Sequence, residues 1–265
     1  MNIFLHELKA YRKSTIIWSI SLVLVVALLM SLFPAFTKDV TEFKKLLEGY
    51  PEPVRKALGM DLNTLFSILG FYCYSLTFIT LCGAIQAMNI GTSIVSKEVR
   101  EKTADFLLTK PVTRKQILSA KLLAAVVSLI ITNIIYFAAA SFMAFQVKTD
   151  DFSFNTFFLL SLTIFFVQLI FLSIGIIFSV TLRKIKSVLS ISLTTVFTFE
   201  FITMLITTAD EKANRYFSPL SYFDTAYIME KSQYEVSFLL VGAAIIIVAV
   251  TFSFLIYSKK DIHAV

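Results

Sequence analysis

Six uninterrupted apolar runs, each long enough to cross a bilayer, leave this chain little choice of fold. They cover 15–36, 66–95, 117–145, 154–182, 188–208 and 236–257, against the roughly 20 residues that a helical span requires. None shows the alternation of a barrel strand, and a backbone in lipid must satisfy its own hydrogen bonds, so the runs are predicted to be helices. Composition agrees: 57% of the residues are hydrophobic and 27 are Phe, more apolar surface than a soluble fold of this size can hide. The first run is too long for the core of a cleavable signal and is read as a retained span. The expected fold class is an all-α integral membrane protein with six transmembrane helices in a single transmembrane domain, 1–265.

The charges set a direction. Lys9, Arg12 and Lys13 precede the first span. Lys97, Arg100, Lys102, Lys110, Arg114, Lys115 and Lys121 surround the connection between spans two and three. Arg183, Lys184 and Lys186 join spans four and five, and Lys259 and Lys260 follow the sixth. These are 15 of the 24 basic residues, while the three opposite loops hold 9 basic beside 12 acidic ones. The positive-inside rule therefore places both termini and the 97–115 segment in the cytoplasm, and the net charge of +6 is a matter of topology, with no nucleic-acid partner implied. The localisation expected is a bacterial plasma membrane.

The opposite loops carry structure of their own. Phe43, Leu46, Leu47 and Tyr50 have helical spacing, Pro51 and Pro53 interrupt it, and Val54, Ala57 and Leu58 form a second short amphipathic piece ended by Gly59. These read as short interfacial helices. The run 216–223 is crowded with aromatics, as expected at headgroup depth. At the other face, 2–13 is expected to form an amphipathic interface helix with Ile3, Phe4 and Leu8 on its apolar side.

Between spans two and three the chain is charged but ordered in pattern. Val99, Phe106 and Leu107 share one side of a short helix, with Glu98, Glu101, Lys102 and Asp105 on the other. Pro111 ends that helix, and Thr113 with Gln116 forms a capping box that restarts the chain as span three. A helix that lies across the membrane face with its charges outward is suited to docking a partner, and the break passes a push on to spans two and three. The bland alternative is that these charges serve only orientation and solvation.

The order Glu98-x-x-x-Lys102-Thr103-Ala104-Asp105-Phe106-Leu107-Leu108-x-x-Pro111-Val112-Thr113-Arg114-x-x-Ile117-Leu118-x-x-Lys121 resembles the coupling segment of ABC type 2 exporter permeases. The loop from Tyr50-Pro51 to Gly59 and the run Ser218-Pro219-Leu220-x-Tyr222-Phe223 are similar to that family's first outer loop and to the segment before its last span. Many relatives carry Gly where this chain has Lys102. The resemblance implies a cytoplasmic coupling helix between spans 2 and 3, seated on a cytosolic ABC ATPase through Glu98, Glu101, Lys102, Thr103, Asp105, Phe106, Leu107, Pro111, Thr113 and Arg114. It implies two ATPase copies, which hold the ATP and Mg, and a second permease, identical or similar. The cargo expected is hydrophobic or amphipathic, such as a peptide antibiotic or a lipid-like molecule.

Within the spans, Glu200 is the one carboxylate near mid-depth, where an ionised group is costly unless it faces protein, water or a cation. It either lines a pathway or selects cationic cargo, or it is protonated and hydrogen-bonded to a neighbouring helix, or it sits near the end of a shorter span five. Gln86, Asn89, Asn133 and Gln168 are expected to join helices through their amides, and Gly83, Ala87 and Gly91 form a small-residue strip, either an internal packing face or a dimer seam.

Enzymatic readings find no support. Cys73 and Cys82 lack metal or redox spacing, His6 and His263 lie far apart, and there is no G-x-S-x-G elbow and no phosphate-binding G-x-x-x-x-G-K-[ST] loop. The chain is expected to be no enzyme by itself and to bind no cofactor directly. Two other classes stay open: a secondary transporter or channel working through Glu200, and a non-transporting immunity or sensor protein.

Overall fold

The computed structural model describes residues 3–100, 112–149, 151–182, 185–209 and 212–259. Six of its helices are long and apolar enough to cross a membrane. In chain order these are α1 (Ile3–Lys38), α4 (Ile68–Arg100), α5 (Arg114–Val147), α6 (Phe154–Thr181), α7 (Val188–Ala209) and α9 (Val236–Lys259). The chain is an all-α membrane protein.

Between α1 and α4 lie α2 (Val40–Glu48) and α3 (Glu52–Ala57). Pro51 starts α3, and Gly59 stops it at φ +70, a backbone conformation that costs glycine nothing. The amides of Met60 and Gly59 reach back to the carbonyls of Arg55 and Lys56, closing the helix in a Schellman turn. Between α7 and α9 the chain forms two 3-10 turns, Lys212–Phe217 and Pro219–Ser221, and the short helix α8 (Thr225–Lys231).

An even number of spans places the start of α1 and the end of α9 on one face, called here the terminal face. α2, α3 and α8 lie toward the opposite, distal face. α1 has 36 residues, a length of about 54 Å at 1.5 Å per residue, against a hydrocarbon core of about 30 Å. The sequence divides 2–13 from span one. In the structure the two are one unbroken helix, because no Gly or Pro occurs before Pro34 and the polar residues Glu7, Thr15 and Ser19 continue the buried stripe of Leu22, Val26, Met30 and Phe33.

The bundle is built on two parallel helix pairs. α1 runs beside α5 in register: Thr15 meets Ser128 and Ser19 meets Thr132, both 113 residues apart. From Thr15 to Phe33 the α1 stripe advances in steps of three and four, close to the spacing of a coiled-coil seam. Facing it, α5 offers the small residues Ala125, Ala140 and Ala144 among Ser128, Thr132 and Tyr136.

α4 runs beside α6 in the second pair, where glycine sets the distance. A Cβ on Gly91 would stand 2.4 Å from the Leu172 carbonyl oxygen, and one on Gly175 would stand 2.8 Å from that of Met88. Both lie below any real contact, so only glycine lets the backbones meet here. Without a hydrophobic drive between helices in lipid, such close van der Waals packing and interhelical hydrogen bonds hold the bundle. α9 packs on α6 and α7 on α4. The outer sides of α1 and α9, with Ile17, Leu24, Leu28, Ile247 and Val248 exposed, are left to lipid.

The 216–223 run differs from its expected interfacial role. Tyr216 and Phe217 are exposed, but Pro219, Tyr222 and Phe223 are buried. Tyr222 packs on Phe238 and donates to the Tyr216 carbonyl, and Phe223 stacks on Phe166. The aromatics close over the bundle end because Arg215 pulls the loop inward. Its guanidinium donates to the carbonyls of Ser221 and Tyr222, lies 2.6 Å from Glu235 and 3.7 Å from Asp224, and sits over the Phe238 ring.

Candidate functional site

The connection between α4 and α5 is where the sequence places the expected coupling segment. Glu101, Lys102, Thr103, Asp105, Phe106, Leu107 and Pro111 lie outside the described residues, as does the side chain of Glu98, so the expected coupling helix is not among the elements described here. Its two anchors are described. On the C-terminal side, Thr113 caps α5 with the box that the sequence predicts: the Gln116 amide donates to Thr113 Oγ1 at 3.3 Å, and the Thr113 amide to Gln116 Oε1 at 2.9 Å. The next residue, Arg114, reaches the Tyr257 carbonyl at the end of α9.

Two turns into α5, Lys121 ties three helices together. Its ammonium lies 3.2 Å from Glu7 of α1 and donates to the Ile94 carbonyl of α4 at 3.0 Å, and its side chain is buried. A buried ion pair is worth keeping only where the geometry is good and further hydrogen bonds fill in, as they do here. On the N-terminal side, the Ser179 hydroxyl of α6 accepts from the amides of Val95 and Ser96, inserting into the backbone ladder of α4 one turn after the Gly91 contact. Both chain segments that enter and leave 101–111 are thus locked to the helix pairs.

Above this lock a polar ladder climbs the bundle centre. Thr15 bonds Ser128, and Ser19 and Gln86 both donate to Thr132. Gln168 donates to Gln86, and Asn133 donates to Gln168. Four helices, α1, α4, α5 and α6, meet in this chain of bonds. Higher still, Tyr72 is hydrogen-bonded to Tyr136 and Ser161, each at 2.7 Å. Asn89 is half-buried and stands outside the ladder. Gly83, Ala87 and Gly91 face α6 of the same chain, for a Cβ on Gly83 would meet Ile164 and Gln168, and Ala87 is fully buried.

Toward the distal face a cavity of about 410 Å³ opens between α4, α6 and α7, under α3 and the 215–225 loop. Glu200 lines it, with Thr203 and Thr207 above it on the same side of α7, Thr77 and Thr80 from α4, and Thr163 from α6. Lys56, Arg215 and Asp224 stand at its mouth. Glu200 is thus brought to a cavity, whereas three of the four amides, Gln86, Asn133 and Gln168, form an interhelical network elsewhere.

Sequence reasoning did not find the partner of Lys121, the role of Ser179 or the anchoring by Arg215. Glu7 was legible in principle, being the one acid on the stripe that continues from Thr15 and Ser19. Thr203 and Thr207 were also legible, three and seven residues after Glu200. Ser179 carried no signal, because an isolated serine in an apolar helix reads as a space-filler.

A family model described as ABC-2 family transporter protein matches residues 1–262. The chain belongs to the ABC-2 family of transporter proteins. No curated protein matches it significantly. Membership accounts for the all-α membrane fold, and ABC-2 permeases as a class are transport subunits that work with an ATPase partner.

Proposed function

We propose that this chain is the membrane-spanning permease of an ATP-driven exporter, coupled to a cytosolic ABC ATPase through 97–115. Two copies of the ATPase would hold the ATP and Mg, and a second permease, identical or similar, would complete the complex. The terminal face is then cytoplasmic, in a bacterial plasma membrane, and a hydrophobic or amphipathic cargo leaves toward the distal face.

The observation that carries this reading is the fastening of both flanks of the coupling segment. Val95 and Ser96 bind Ser179 of α6, and Lys121 binds Glu7 of α1 and Ile94 of α4. A force applied to the segment therefore acts on α1, α4, α5 and α6 together. Coupling over such a distance needs connected packed elements rather than a mobile linker, and the lock supplies them.

The test is ATPase activity of the reconstituted complex. Replacing Glu98, Glu101 and Asp105 together with Ala is expected to abolish the permease-dependent stimulation and to weaken ATPase co-purification, with the permease still folded. Full stimulation and assembly by the triple variant would remove the docking assignment. Arg114 is tested separately, because its contact with Tyr257 gives it a structural part.

A further inference from the structure

The distal cavity has a chemical bias that three of its six threonines reveal. A hydroxyl has one hydrogen to give and two lone pairs to offer. Thr163, Thr203 and Thr207 each reach a carbonyl of their own helix, those of Leu159, Phe199 and Thr203 at 3.3, 2.9 and 2.8 Å, and the Thr203 hydroxyl also meets that of Ser218 at 2.7 Å. With the hydrogens so directed, Thr163 and Thr207 present lone pairs to the cavity, and Thr203 the one that Ser218 leaves it. Glu200 adds carboxylate oxygens to the same wall.

The charges at the mouth do not cancel this bias. Lys56 pairs with Glu52 at 3.2 Å, and Arg215 lies between Asp224 and Glu235. The first pair sums to zero and the second group to one negative charge. Among the described residues, Glu200 has neither an ion-pair nor a hydrogen-bond partner, yet it lies within a span, where an ionised carboxylate calls for water or a cation. Leu76, Ile206 and Phe223 give the cavity an apolar wall, and its volume is that of a small-ligand site.

We propose that this cavity binds the ammonium head of an amphipathic amine, with Glu200 as counter-ion and the threonine oxygens as acceptors for its N–H groups. If the chain is an export permease, the amine defines its cargo class; the binding itself does not depend on that reading. An anion finds no uncommitted cation here, and a quaternary ammonium offers no N–H to the threonines.

The test uses the full chain in lipid nanodiscs without any ATPase, so that its result is independent of coupling. Octylammonium, octyltrimethylammonium and octyl sulfate are titrated calorimetrically, with empty nanodiscs subtracted. Octylammonium is expected to bind saturably, about tenfold or more weaker in E200Q and severalfold weaker in T207V, while E200D stays close to wild type. Octyltrimethylammonium is expected to bind severalfold more weakly than octylammonium, and octyl sulfate not at all. Equal binding by E200Q and wild type, equal binding of the two cations, or heat no greater than that of empty nanodiscs would overturn the proposal. Should E200Q unfold, the E200D and T207V arms and the comparison of the two cations decide it.

Discussion

Lys121 holds its ammonium 3.2 Å from the Glu7 carboxylate, although the two residues are 114 positions apart and Lys121 is only 2% exposed. The pair lies eight residues before Thr15, near the level where apolar core gives way to headgroups, so the desolvation cost is lower than at mid-membrane. Replacing Lys121 with Met leaves Glu7 buried and unpaired. The expected loss is about 3 kcal/mol, the order found when one partner of a buried pair is removed. The E7Q/K121M double variant is expected to be less destabilised than the sum of the single ones. Thermal unfolding in detergent, arranged as a double-mutant cycle, measures this coupling.

Gly91 and Gly175 define the closest approach of α4 and α6. G91A places a methyl group 2.4 Å from a backbone oxygen, which no rotamer can relieve. It is expected to cost about 1–3 kcal/mol by overpacking. G83A meets side-chain atoms of Ile164 and Gln168 at 3.0 and 3.1 Å, which need give by only tenths of an ångström, and is expected to cost less than half as much. Melting temperatures of the two variants in one detergent give the ranking.

Gln168 joins two amides of the central ladder. Q168L removes both bonds and leaves Asn133 and Gln86 each short of a partner. Interhelical hydrogen bonds in membranes contribute about 0.6 kcal/mol on average, and up to about 1.7. A loss of about 1–2 kcal/mol is expected, with no effect on the cavity. Octylammonium affinity within twofold of wild type, alongside the lowered melting point, is the expected pairing of results.

Arg215 makes four polar contacts and one ring contact with its own loop and the base of α9. Lysine keeps the charge but lacks the planar fork that serves two carbonyls and two carboxylates together. R215K is therefore expected to free the 215–224 loop. Faster amide exchange and protease nicking confined to that stretch are the expected signs, and unchanged protection would show that the aromatics alone hold it.

Tyr234 donates to the Leu159 carbonyl, and burial pushes its phenol up to about 12 from 10.0. The folded chain thus holds a proton that the unfolded chain releases first. The resulting stability is complete below pH 10 and is lost as pH rises through 12. With a discount for partial exposure, it amounts to about 1–2 kcal/mol. Y234F is expected to be less stable at pH 8 but to show a shallower decline above pH 10.

How much was legible follows from what the bilayer enforces. Span existence and number stood in the apolar runs, because lipid tolerates no other backbone solution. The capping box at Thr113 was local and therefore readable, as was the stop at Gly59. The join of 2–13 to span one was not, since His6, Glu7 and Lys9 look like an interface segment until Lys121 supplies Glu7 with a buried partner. The same holds for Glu200: its cost in lipid was evident, but the threonines that surround it come from three helices whose pairing no single run discloses.

The register between α1 and α5 bears on biosynthesis. Glu7, Thr15 and Ser19 find their interhelical partners in Lys121, Ser128 and Thr132, over a hundred residues later. At about 5–20 residues per second of synthesis, the first helix waits roughly 6 to 23 seconds before Lys121 and Ser128 emerge. During that interval its polar stripe must be shielded by the insertion machinery or by α4, which makes the nascent first helix the step most exposed to quality control.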